Sequence, residues 1–271
     1  MPLSRLVEKS YLALVDAAFA RWPARIPPPR RVRQCRLIAH RGEHGSDGVP
    51  ENTLAAFERA EGAGVWGIEF DVRWTGDGVP VVMHDADLKR LHGDLRPVAD
   101  LSWNELQVCC EGIPSLTTVV SRFGGRLHLM IELKKPREGI PPSCYETLHE
   151  VLAPLKPIRD YHLMSLHTDM LTPVGGIPSR TLIAIAYYLP GRLSRWVLQQ
   201  RWGGICSHYL LMPTGMVNRH HHNGQWVGTG YADSRNVLFR ELNRGVHWIF
   251  SNRAAAMQRI LNTTHQPVKS V

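Results

Sequence analysis

The sequence predicts an α/β fold, a (β/α)₈ barrel, and three observations carry that expectation. Apolar, strand-like runs alternate with helical patterns over most of the chain, which implies a parallel sheet covered by helices. About eight such units follow one another, and 271 residues suit one barrel domain, since these reach ~250 residues as a single unit. The competing open, doubly wound sheet has no Gly-x-Gly-x-x-Gly after its first strand to support nucleotide binding.

The elements justify themselves in order. Residues 1–35 form a basic extension with a proline-rich linker. Within it, "LVEKSYLALVDAAFA" (Leu6 to Ala20) has a short apolar core and ends in Ala-Phe-Ala, similar to a signal-peptidase site. Glu8 and Asp16 sit where such a signal is normally free of acid. Leu3, Val7, Tyr11, Leu14, Ala18 and Trp22 recur at helical spacing, so an amphipathic helix ended by Pro23 is expected. Three roles stay open for it: packing across the barrel bottom, contact with a membrane surface through residues 3–22, and a cleaved signal. The barrel is expected over residues 36–262, followed by a tail at 263–271. Its strands read as "RLIAH", two runs within "GIEFDVRWTGDGVPVVMHD" (Gly67 to Asp85), "LHLMIELK", "YHLMSL", "TLIAIAYY", "GGICSHYL", "QWVGTG" and "VHWIFS". Helical patterns such as "NTLAAFERAEGAG", capped by Asn52, lie between them.

Composition excludes some functions. The net charge is +8, but residues 1–36 hold eight basic side chains against Glu8 and Asp16. The body is therefore nearly neutral, which argues against nucleic-acid binding and suits contact of a basic tail with an anionic membrane. Five cysteines without a C-x-x-C motif suggest a reducing, cytoplasmic compartment, with peripheral membrane association through the tail. No run approaches the ~20 apolar residues of a membrane span.

The chemistry concentrates in a few strands. Residues i and i+2 of a strand share a face, so Glu69 and Asp71 project together. Both faces of a parallel barrel strand are covered, and two adjacent carboxylates there are costly unless a cation compensates them. Glu132 ends a similar strand, and the three would suit Mg²⁺ or Ca²⁺, with a substrate phosphate completing the shell. Lys134 shares the face of Glu132 and adds positive charge toward that phosphate, while Arg41 offers a planar fork to it. His40 and His84 each end a strand-like run, and imidazoles suit proton transfer at neutral pH.

These residues stand in text that resembles the glycerophosphodiester phosphodiesterase family. The match is carried by "AHRG…PENTLAAFERAEGAGVWGIEFDVRWTGDGVPVVMHDADLKRLHG", then "LSWNEL", "IPSL" and "IELK", and it covers roughly residues 36–255. The resemblance implies a (β/α)₈ barrel that uses a divalent cation to cleave glycerophosphodiesters to glycerol 3-phosphate and an alcohol. It implies His40 and His84 as the catalytic pair, Glu69, Asp71 and Glu132 as metal ligands, and Arg41 and Lys134 as phosphate contacts. Two other functions compete: lysophospholipase-D-like hydrolysis of lysophospholipids, and a catalytically silent barrel that binds phosphodiesters.

Three departures qualify the match. Gly228-Thr229-Gly230 replaces a Trp-Thr element, with Tyr231 or Trp226 as candidate substitutes for the lost aromatic wall. The cap segment between His84 and Glu132 is short, so the pocket is expected to be open. The basic extension lies outside the family barrel. Glu51 is a secondary candidate to face the metal, and Asp85 is placed to orient either His84 or its loop. "RHHHNG" (Arg219 to Gly224) reads as a helix end and turn, because three consecutive histidines point in different directions.

Overall fold

The computed structural model describes residues 14–136, 139–188 and 190–264. Nine strands form one sheet: β1 (Arg36–His40), β2 (Gly67–Trp74), β3 (Pro80–Val82), β4 (His128–Leu133), β5 (Tyr161–Ser165), β6 (Leu182–Ala186), β7 (Gly204–His208), β8 (Trp226–Gly230) and β9 (Trp248–Ser251). All except β3 run parallel, and β1 pairs with both β2 and β9, so eight strands close the expected barrel. β3 is not part of the wall. It folds back antiparallel on the upper end of β2, pairing Val82 with Val72 and Pro80 with Trp74. His84 therefore does not end a barrel strand, as the sequence suggested. It follows a hairpin that carries it back to the mouth, where Met83 N–H donates to the Asp71 carbonyl (2.9 Å).

Strand alternation divides the apolar residues into two layers. Leu37, Ile68, Phe70, Leu129, Ile131, Leu163 and Ile249 point outward beneath the helices. Ile38, Met130, Met164, Ile183, Cys206, Trp248 and Phe250 fill the barrel. That interior is tight enough to demand a glycine on β8: a Cβ at Gly228 would lie 2.6 Å from Cys206 Sγ and 2.9 Å from the Phe250 ring. A smaller core of Val81, Met83, Leu88, Val98, Leu101, Leu106, Cys110 and Ile113 supports the short cap. Its helix Trp103–Cys109 opens with a reciprocal Ser102–Glu105 capping box.

The floor of the barrel is aromatic and basic. Arg36 lies over the Trp66 and Trp226 rings at 5.0 and 4.2 Å. His128 stacks on Trp66 and meets His162 at 2.8 Å. Trp226 belongs to this floor, stacked on Trp248, and so cannot wall the mouth.

Residues 14–21 are helical, but they do not cross the barrel bottom. Phe19 packs edge-on against Tyr209, just past β7, and Asp16 accepts a hydrogen bond from the Tyr209 hydroxyl. Asn236 and Asn243, on helix Arg235–Arg244, donate to the carbonyls of Ala20 and Arg25. The extension thus descends the barrel flank beside that helix. Residues 3–13 and 265–271 lie outside the described residues. Among the described residues, no helix is long and apolar enough to cross a membrane, and all five thiols are free.

"RHHHNG" is structural. It closes helix Thr214–His222, with His220 buried between the Ser194 hydroxyl (2.7 Å) and Gln225 Oε1 (2.6 Å).

Candidate active site

The mouth gathers what the sequence dispersed. Register places His40 beside Glu69 and Asp71 beside Glu132. Glu69, Asp71 and Glu132 are buried, and each offers an oxygen within 4.8 Å of the other two. Burial, then the charges of Asp71 and Glu132, push the Glu69 carboxyl well above its ordinary range. Burial also raises Glu132, against the pull of Lys134. Burial alone would raise Asp71 too, but Lys134 and Arg41 hold it below the usual carboxylate range.

The compensating cations lean on Asp71. Lys134 Nζ lies 2.8 Å from Asp71 Oδ1 and 2.6 Å from Glu132 Oε1, and Arg41 Nε lies 3.3 Å from Asp71 Oδ2. Glu69 has no Lys or Arg ion pair among the described residues. Its Oε2 accepts the Arg41 backbone N–H (3.2 Å), while its buried Oε1 has no hydrogen-bond partner. A buried anionic oxygen left unpaired is expensive. Three converging carboxylate oxygens form a hard donor set that fits a divalent cation such as Mg²⁺ or Ca²⁺.

Local backbone geometry serves this cluster. Arg41 holds φ 56°, the left-handed region, which aims its N–H at Glu69. Gly42 follows at φ 80°, where a Cβ would meet Ala56 Cβ at 2.7 Å. Asn52 does not cap the next helix. Thr53 does, accepting from Ala56 N–H, while buried Asn52 donates its amide to Asp71 Oδ2 (2.8 Å). Glu51 lies outside the carboxylate cluster and pairs with Arg41 (2.9 Å) and Arg90.

The two histidines have different partners. His40 Nδ1 meets Asn252 Oδ1 at 2.8 Å, and the Asn252 amide in turn donates to Asp233 (3.0 Å). With that amide committed, Nδ1 must carry the proton, which leaves Nε2 as the acceptor nitrogen. Burial, then Arg41, lower the His40 pKa to about 3, so the ring is neutral. Its Nε2 lies 3.7 Å from Glu69 Oε2 and 3.3 Å from the Tyr231 hydroxyl. His84 instead holds a carboxylate, with Nδ1 2.8 Å from Asp85 Oδ1. Asp85 also accepts from Arg90, so it orients both the histidine and its loop. Burial lowers His84, and the Asp85 hydrogen bond opposes that shift.

All seven candidate residues thus converge. Sequence reasoning missed Asn252 and Asp233, which no local pattern ties to His40 across 212 residues. Of the two candidate substitutes for the aromatic wall, Tyr231 is the one at the mouth, its ring 4.6 Å from that of His40. Arg73 was also missed, although the i+2 rule that paired Glu69 with Asp71 extends to it. A cavity of about 210 Å³ opens beside His84, lined also by Arg73, Lys134 and Lys135. The pocket is open on this side, as the short cap implied.

Comparisons with known proteins bear on the family and the fold. The model of the glycerophosphoryl diester phosphodiesterase family matches residues 40–256. A glycerophosphodiester phosphodiesterase of Caldanaerobacter subterraneus is 37% identical over 236 residues, covering 80% of this chain and 93% of that protein. An Oleispira antarctica phosphodiesterase, solved in complex with the product sn-glycerol-3-phosphate, superposes with a TM-score of 0.72 at 24% identity. The alignment covers 84% of this chain and 96% of that one. A glycerophosphodiester phosphodiesterase from Thermotoga maritima has a TM-score of 0.71 at 22% identity, over 83% of this chain and 98% of that one. At those identities the two structures speak to the fold.

Proposed function

The chain belongs to the glycerophosphoryl diester phosphodiesterase family, and from that membership we propose how its mouth works. The protein is a phosphodiesterase that hydrolyses glycerophosphodiesters. In our reading it releases glycerol 3-phosphate and an alcohol with the help of a divalent cation held by Glu69, Asp71 and Glu132. The observation that carries this reading is the buried carboxylate trio, with Glu69 left unpaired, flanked by two imidazoles with unlike partners. When bound, the cation supplies charge to stabilise the phosphoryl oxygens.

The chain's own groups do the rest. Arg41 and Lys134 turn from their carboxylates toward the phosphate, which the planar guanidinium meets with a fork of donors. His40 Nε2, a lone pair on a neutral ring, takes the proton of the attacking hydroxyl, from water or from the substrate's own glycerol. His84, oriented by Asp85, gives a proton to the departing alcohol oxygen from its imidazolium form, which burial disfavours and the nearby Asp71 and Asp85 carboxylates support. Asn252 keeps His40 in the Nδ1–H form throughout.

The test is product analysis with glycerophosphoglycerol and a lysophospholipid side by side, before and after chelation. Glycerol 3-phosphate released from the first, lost on chelation and restored by Mg²⁺ or Ca²⁺, is the expected result. Full activity after exhaustive chelation would remove the metal from the reading.

A second reading concerns location. Leu14, Trp22 and Ile26 are 72, 74 and 66% exposed along a basic extension, which favours peripheral contact with an anionic membrane. Co-sedimentation with anionic vesicles should weaken with salt and vanish when residues 1–26 are deleted. Vesicle binding unchanged by that deletion would assign any contact to another surface.

A further inference from the structure

We propose that Arg73 is a specificity residue: its guanidinium selects diesters whose alcohol arm carries an anionic group, a carboxylate or a phosphate. The inference rests on the hydrolytic reading above and deepens it. Arg73 follows Glu69 and Asp71 on the inward face of β2 and reaches the cavity beside His84. It is only partly exposed, and its Nε donates to the His84 carbonyl (2.9 Å). No carboxylate forms an ion pair with it among the described residues. The carboxylates whose charges reach it most strongly are engaged elsewhere, Asp71 by Lys134 and Arg41 and Asp85 by His84 and Arg90. A half-buried guanidinium with donors to spare is a site awaiting an anion.

The remainder of the cavity has the same sign. Lys134 and Lys135 line it together with His84, His167 and Leu166. Its one acid is Glu132, already claimed by Lys134 and the proposed cation. Lys135 is balanced by Asp169, which leaves Arg73 as the cation there without an ion pair among the described residues. Among the described residues no Phe, Tyr or Trp lines the space, so a quaternary ammonium would find neither an unclaimed carboxylate nor an aromatic cage.

Geometry assigns this cavity to the variable alcohol. On the His40 side, the Tyr231 ring lies 4.6 Å from the imidazole and confines the space to a small arm, which glycerol is. The open volume lies on the His84 side, where a proton is delivered to the departing oxygen.

Three synthetic diesters of glycerol 3-phosphate test the idea, their leaving alcohols being 3-hydroxypropionate, propan-1-ol and choline. The wild-type enzyme, loaded with its cation, should show kcat/KM falling in that order, with at least a tenfold span between the first and last. In Arg73→Met, which keeps the stem and removes the charge, the ratio of the carboxylate to the propyl ester should fall toward one. Arg73→Lys should restore part of it, a readout that a purely structural role would not produce. Wild-type rates that are equal for all three esters, or highest for choline, overturn the proposal and leave the hydrolytic reading intact. An unchanged ratio in folded Arg73→Met does the same, and if that variant does not fold, an unchanged ratio in Arg73→Gln decides. Failure of the wild type to hydrolyse any of the three overturns the proposed function and this inference with it.

Discussion

The two ends of the barrel use similar residues to opposite ends. β1 carries Arg36 at the floor and His40 at the mouth, and β4 carries His128 at the floor and Glu132 at the mouth. At the floor the polar groups close on one another. His128 donates or accepts at both nitrogens, toward the Arg159 carbonyl (3.0 Å) and His162 (2.8 Å), and Arg36 is sandwiched between indoles. Among the described residues, what remains unpaired there is neutral: His162 Nε2, His247 Nδ1 and Trp248 Nε1. At the mouth the unpaired atom is Glu69 Oε1, a carboxylate oxygen beside two further carboxylates. An orphaned neutral nitrogen costs far less than an orphaned buried charge. Residue type alone does not separate structure from function here; whether the charges close does.

That contrast can be broken most forcefully at Glu69. Glu69→Gln should reduce turnover to assay background and weaken cation binding by calorimetry. It should also leave the cation-free protein at least as stable, with the gain growing as pH rises, because burial, Asp71 and Glu132 disfavour the charge that the amide cannot take. A variant both inactive and less stable would mean that the trio is structural. Next come the imidazoles. His40→Ala and His84→Ala should each lose ~100-fold or more in kcat, the lower range for a positioned acid or base. Cation affinity should change little, and the double variant should be little worse than the poorer single one, since residues acting as a unit are not additive. Near-normal turnover of either single variant from pH 6 to 9 would mark that histidine as structural.

Smaller effects sharpen the floor. Burial holds His128 and His247 neutral, each lowered to about 4. In the unfolded chain they titrate near 6.5, so below that pH the unfolded state binds more protons and stability falls as pH drops toward 4. Between pH 7 and pH 5 the loss is about 2 kcal/mol for the more buried His128, a shift of several degrees in Tm. His128→Gln should flatten that slope, which thermal melts across the range would show. Smallest is Arg36→Met. It should cost about 1 kcal/mol of stability through the lost cation–π contacts and leave kcat unchanged. A large loss of activity without unfolding would couple floor to mouth, against the separation drawn above.

Strand periodicity is a property of one short segment, and it was legible directly. Alternation alone placed Glu69 with Asp71 and Glu132 with Lys134, and the repeated strand-helix pattern predicted the closed barrel. The helical reading of "RHHHNG" is equally local. Tertiary structure decided whatever depends on how distant segments meet. Only the folded chain shows that β3 is a hairpin arm hanging His84 over the mouth, or that Asn52 holds Asp71 and leaves the helix cap to Thr53. Closure of β9 against β1 brings Asn252 to His40, and the end of β8 delivers Tyr231 to the same ring across 191 residues. The N-terminal helix was placed on the flank by the Asp16 and Phe19 contacts with Tyr209, which no periodicity encodes. A sequence pattern states which face a side chain takes; barrel closure and loop paths determine what that face meets.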